Sequence, residues 1–121
     1  MDMERIFKMP FADVYPHYIN KVERKGRTKA ELHEVITWLT GFEEKALTSH
    51  IAKRTSFQDF FDAARLNADA TLITGVICGV RVEEIKDPLM QKIRYLDKVV
   101  DELAKGKSVE KIVYRKRPIK S

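Results

Sequence analysis

The segment from Asp87 to Gly106, DPLMQKIRYLDKVVDELAKG, constrains the fold more than any other part of the chain. Leu89, Ile93, Leu96, Val100 and Leu103 recur at spacings of four, three, four and three, which places them on one stripe of a helix about four turns long. Asp87-Pro88 is a helix opening, because proline at the first helical position gives up an N–H that has no partner there, and Gly106 is a helix close. Leu96, midway along the stripe, is expected in the core. Asp101 and Lys105 form an i,i+4 pair expected on the opposite, solvated face, beside Arg94, Asp97 and Lys98.

The same punctuation predicts further helices upstream. Pro16 suits a first helical position, and Arg24 and Lys25 precede Gly26 as cations do at a carboxyl end, so one helix is expected over residues 16–25. Thr28 followed by Glu31 is a capping-box pattern; behind it Leu32, Val35, Ile36 and Leu39 form an apolar stripe that Gly41 terminates. Ala46, Leu47, His50 and Ile51 suggest a short third helix. A fourth starts at Thr55 or Ser56 and carries Phe57, Phe60 and Phe61 inward, residues 65–69 read as a loop, and Ser108 caps a last helix with Val109, Ile112 and Val113.

Residues 72–80 admit two readings. Their β-branched side chains suit a buried strand, and Cys78-Gly79 would turn that strand into a hairpin with residues 80–85. Helix is preferred, since no other convincing strand is visible and an isolated two-stranded hairpin is marginal in water.

Composition bounds the rest. At 121 residues, with 44% hydrophobic and 34% charged side chains, the chain can bury a sizeable core without staples, and it shows neither internal repeats nor low-complexity tracts. MDMERIFKMPF lacks the basic and apolar regions of a secretion signal, and the longest nearly apolar run, residues 71–80, is about half a membrane span. The lone Cys78 cannot form an internal disulfide, which agrees with a reducing cytoplasm. Of the net charge of +5, the carboxyl end supplies Lys111, Arg115, Lys116, Arg117 and Lys120 with no acid among them. A second cluster, Lys21, Arg24, Lys25, Arg27 and Lys29, is interrupted only by Glu23.

The phrases WLTG at residues 38–41, ICGVRVE at 77–83 and RYLDK at 94–98, within a match over nearly the whole chain, resemble the small prokaryotic proteins grouped as the domain of unknown function 2200 family. The resemblance implies a compact helical bundle in a prokaryotic cytosol. It carries over no reaction, cofactor or catalytic residue, and it stops short of residues 114–121.

Chemistry therefore rests on individual residues. His17, His33 and His50 are too widely spaced for a sequence-local metal site, and the one i,i+4 pair with a carboxylate, Asp13 with His17, straddles the expected helix start. They read as surface or half-buried histidines. Cys78 sits among Val76, Ile77 and Val80 and reads as a packed, inert thiol, with Arg81 three residues on as the one group able to stabilise a thiolate. The pairs Asp59 and Asp62, Glu83 and Glu84, and Asp97 and Asp101 read as solvated faces. Gly75 and Gly79 form a weak GxxxG, and phosphate-binding glycine loops and GxSxG are absent. A helix-turn-helix at Gly41 is disfavoured, because Glu43 and Glu44 would open the recognition helix and repel phosphate.

The expectation is an all-α orthogonal bundle of about six helices in one domain, residues 1–113, followed by a basic tail, residues 114–121. Its expected role is a small cytosolic binding or interaction module for a protein or small ligand, without metal, cofactor or membrane and with a homodimer admitted. Two alternatives stand beside it. One is weak, sequence-blind nucleic-acid contact through Arg24, Lys25, Arg27, Arg115, Lys116, Arg117 and Lys120; the other is an enzyme built around Cys78 and Arg81.

Overall fold

Side-chain caps mark most helix starts in the computed structural model, which describes residues 3–114. Along these residues run α1 (Met3–Lys8), α2 (Phe11–Glu23), α3 (Lys29–Thr40), α4 (Glu44–Ala52), α5 (Phe57–Ala63), α6 (Pro88–Ala104) and α7 (Val109–Val113). Two short 3₁₀ turns, Ala68–Leu72 and Val82–Glu84, flank an antiparallel hairpin of β1 (Val76–Ile77) and β2 (Val80–Arg81). The architecture is mostly helical, with this one small sheet among the described residues.

The capping signals in the sequence are physically used. Thr28 accepts from Glu31 N at 3.1 Å while Glu31 Oε1 accepts from Thr28 N at 2.9 Å, the reciprocal box that satisfies two orphan donors at the start of α3. Ser56, Asp87 and Ser108 cap α5, α6 and α7 by accepting from Asp59 N, Met90 N and Lys111 N. Gly41 closes α3 at φ +74°, and a Cβ there would lie 2.6 Å from the Arg65 carbonyl oxygen, so conformation and space both demand glycine.

The apolar stripe of α6 is the spine of the core. Ile93, Leu96, Val100 and Leu103 are buried, and the helix packs against α2, α3, α5 and α7. Against the expectation of a solvated face, Asp97 and Asp101 point at α2. Tyr18 Oη donates to Asp97 Oδ1 at 2.5 Å, and Asp101, only 8% exposed, takes Lys21 and Lys105 at 3.0 Å each. The polar residues beside the seam thus clamp two helices together.

Two elements differ from the sequence reading. The helix expected from Pro16 begins at Phe11 and contains the proline, and α1 precedes it. Phe11 is fully buried and stacks on Phe60 at 4.4 Å, while its N–H donates to Thr55 O at 2.8 Å; this anchoring outweighs the single backbone bond that Pro16 gives up. With the helix start moved, Asp13 and His17 lie on one helix, but Asp13 pairs with Arg54 at 2.6 Å.

The second difference is residues 72–80, where the hairpin replaces the preferred helix. Cys78 at φ +52° and Gly79 at φ +80° give the two left-handed residues of a tight hairpin turn, and Gly75 at φ +110° is also outside helical space. The objection that a two-stranded hairpin is marginal applies to an isolated one. This one is docked: Lys98 Nζ donates to Val76 O at 3.2 Å, Gln91 Nε2 donates to Val82 O at 3.1 Å, and Ile77 packs on the core.

Candidate functional site

Two adjoining clefts run over the outward face of α3. The first, about 450 Å³, lies between Ala30, His33 and Thr37 of α3 and the Glu43-Glu44 start of α4. The second, about 380 Å³, adds Trp38 of α3 with Val109 and Val113 of α7. They share Glu34, Thr37 and Phe42, so together they form one groove with an apolar, aromatic floor. Phe42 is held in place by His50 and Phe60, at ring separations of 4.7 and 5.0 Å.

His33 and Glu44 at the groove belong to a three-helix hydrogen-bond chain. His33, 5% exposed, bonds through Nδ1 to Glu44 Oε1 and through Nε2 to Tyr15 Oη at 2.5 Å. With Nδ1–H donating to the carboxylate, Nε2 accepts the phenol proton, and both ring nitrogens are satisfied. Desolvation first, then the charges of Glu44 and Glu23, push the Tyr15 phenol upward, which keeps it protonated as a donor. The chain ties α2, α3 and α4 together and fixes Glu44 at the groove. Sequence reasoning left His33 as a surface or half-buried residue; its signal was its place beside Leu32 and three residues before Ile36, at the shoulder of the α3 stripe.

Cys78 is not packed in the core. It is exposed at the tip of the hairpin, in a backbone conformation that L-residues adopt at a cost of roughly 1–2 kcal/mol. Arg81, its expected partner, instead meets Glu83 at 3.0 Å, and Glu83 accepts from Gly75 N. The guanidinium that reaches Sγ is that of Arg94, at 3.4 Å. Arg94 also donates to Asp97 at 2.7 Å, and Asp97 takes the Tyr18 hydroxyl, so a polar chain runs from the exposed thiol to the core. Desolvation opposes the Arg94 charge, but the hydrogen bond and charge of Asp97, with smaller contributions from Cys78 and Tyr18, raise its pKa. Tyr18 is pushed well above its ordinary range by burial and then by Asp97, so its phenol stays protonated.

The basic cluster over residues 21–29 is partly neutralised in the fold. Arg27 is bound to Glu31 at 2.7 Å and Lys21 to Asp101, while Arg24 and Lys25 are exposed just beyond α2. Arg115, Lys116, Arg117 and Lys120 lie outside the described residues. Among the described residues no three His, Cys, Asp or Glu side chains are placed to hold a metal, and no helix is long and apolar enough to cross a membrane.

Comparison with known proteins adds a family and a close structural likeness. The model of a family described as uncharacterised protein conserved in bacteria (DUF2200) matches residues 5–114. A crystal structure described as that of the uncharacterised protein SP1917 is similar at 45% identity over 98% of both chains, with a TM-score of 0.88. No curated protein matches the chain.

Proposed function

The chain belongs to the DUF2200 family of bacterial proteins, and we propose that it acts as a small binding module that takes its partner in the groove over α3. The observation that carries this reading is the pairing of the two clefts: a preformed apolar floor, Trp38 and Phe42 among its residues, is bordered by a few convergent polar groups. The His33 chain gives that border rigidity. Rigid placement lowers the ordering cost of association, which is what a recognition surface requires.

A fragment screen on isotope-labelled protein tests the reading. Binders should concentrate their spectral shifts on the Trp38 indole, Phe42 and Thr37. Binders that leave these unperturbed and map elsewhere would remove the groove as the functional surface.

A second reading is favoured by the hairpin tip, where a strained, exposed Cys78 faces the Arg94 guanidinium. In it the protein uses its thiol as a nucleophile or reversible attachment point, with Arg94 in the place that sequence gave to Arg81. Ellman's reagent should then react with native protein about as fast as with unfolded protein, and Arg94→Gln should slow the reaction. Slow native labelling, or a rate indifferent to Arg94→Gln, excludes this reading.

A further inference from the structure

The groove has a sign opposite to that of the whole chain. The net charge is +5, yet the fixed charges on its lining residues are all carboxylates: Glu34, Glu43 and Glu44. Glu44 is engaged by His33, whereas Glu34 and Glu43 are exposed and carry no ion pair among the described residues. Local acid of this kind repels phosphates and carboxylate ligands and attracts ammonium or guanidinium groups.

The floor adds a second requirement. Trp38, Phe42, Val109 and Val113 are half-buried, so an occupant must bring apolar surface to them and cations to the edge. Aromatic faces also favour an adjacent cation, Arg more often than Lys. The two clefts adjoin through three shared residues, and their combined extent suits an elongated ligand better than a compact amine.

We propose that the groove over α3 receives a basic peptide segment of a protein partner, one apolar side chain resting on Trp38 and Phe42 and flanking lysines or arginines meeting Glu34 and Glu43. This rests on the groove being the binding site and names the chemistry of what fills it. The contact is electrostatically steered and weakens as salt screens the exposed carboxylates.

Trp38 is the sole tryptophan, so its fluorescence reports occupancy directly in the full-length protein. Three capped pentapeptides serve as probes: Lys-Arg-Leu-Lys-Arg, Gln-Gln-Leu-Gln-Gln and Glu-Glu-Leu-Glu-Glu. The basic peptide should shift Trp38 emission saturably, with affinity falling about tenfold from low to high salt. The double variant Glu34→Gln, Glu43→Gln should weaken it by a similar factor while leaving the melting temperature within error. If the neutral peptide binds as well as the basic one, cation recognition is overturned and the groove itself stands. If the basic peptide binds without perturbing Trp38, or survives the double substitution unchanged, its site is elsewhere and the inference falls. Failure of all three peptides overturns it too, while the fragment screen judges the groove separately.

Discussion

Helix α6 and the hairpin that docks on it are sequence neighbours built on opposite principles. In α6 the apolar stripe is buried from Ile93 to Leu103, and even Asp101 beside it is enclosed. In the hairpin Val76 and Val80 are exposed, the turn residue is strained, and position is held by a few polar contacts from α6 together with Ile77 against the core. Stability therefore resides in the helix, and the hairpin is a presented element whose conformation the helix imposes.

The largest effect that tests this contrast is at Leu96, fully buried in the middle of the stripe. Leu96→Ala should cost about 2–5 kcal/mol through lost transfer free energy and the cavity left behind. Chemical denaturation measures it. A loss below about 0.5 kcal/mol would mean that the spine of the core lies elsewhere and that the two regions do not differ as described.

The contrast also explains what was legible from sequence. The helices α3 and α6 could be read because periodicity and caps are local: Thr28 with Glu31, Asp87 with Met90 N, and a stripe every three or four residues. The three inward phenylalanines of α5 were legible for the same reason. The hairpin was legible only as the second of two readings, with its turn at Cys78-Gly79, because what selects it over helix is remote: Lys98, Arg94 and Gln91 reach back from α6 to residues twenty-two, sixteen and nine positions earlier. The start of α2 was missed because Pro16 carries a strong local signal, and the opposing contribution, Phe11 against Phe60, spans about fifty residues. The same holds for function. Glu34 carries no signal in sequence and Glu43 is legible only as an acid opening a helix; the approach of the α4 start and of α7 to α3 makes a groove of them, and Tyr15, His33 and Glu44 meet from three helices.

An intermediate effect is expected at Asp101, the acid that sequence placed in solvent and the fold enclosed. Burial raises its carboxyl pKa, but the hydrogen bonds and charges of Lys105 and Lys21 outweigh this and hold it below the ordinary 3.8. A carboxyl whose pKa is depressed by folding binds its proton more weakly in the native state than in the unfolded state. Its contribution is therefore present above pH 3.8 and is lost as pH falls through the folded value. Asp101→Asn should lower stability at neutral pH by about 1 kcal/mol, because both lysines are partly exposed and can rehydrate. It should also flatten the acid limb of the stability curve below pH 4. An acid limb identical in parent and variant would place the α2–α6 clamp on other groups.

The smallest effect is at the hairpin tip and has the opposite sign. Cys78 holds φ +52°, a conformation in which asparagine is at ease, and Asn-Gly is the preferred pair for a two-residue hairpin turn. Cys78→Asn should relieve part of the strain and stabilise the protein by about 0.5–1 kcal/mol, while removing the sole thiol. The opposing loss is the Arg94 to Sγ contact at 3.4 Å, which is solvent-exposed, and Arg94 keeps Asp97 as its partner. A gain in the denaturation midpoint would show that the chain retains a cysteine here at a cost to its own stability, the behaviour expected where strain is maintained for chemistry at the tip. A loss of more than about 0.5 kcal/mol would reverse the argument. The sulfur–guanidinium contact would then be a structural fastener, and the hairpin would be stabilised by its tip as well as by α6.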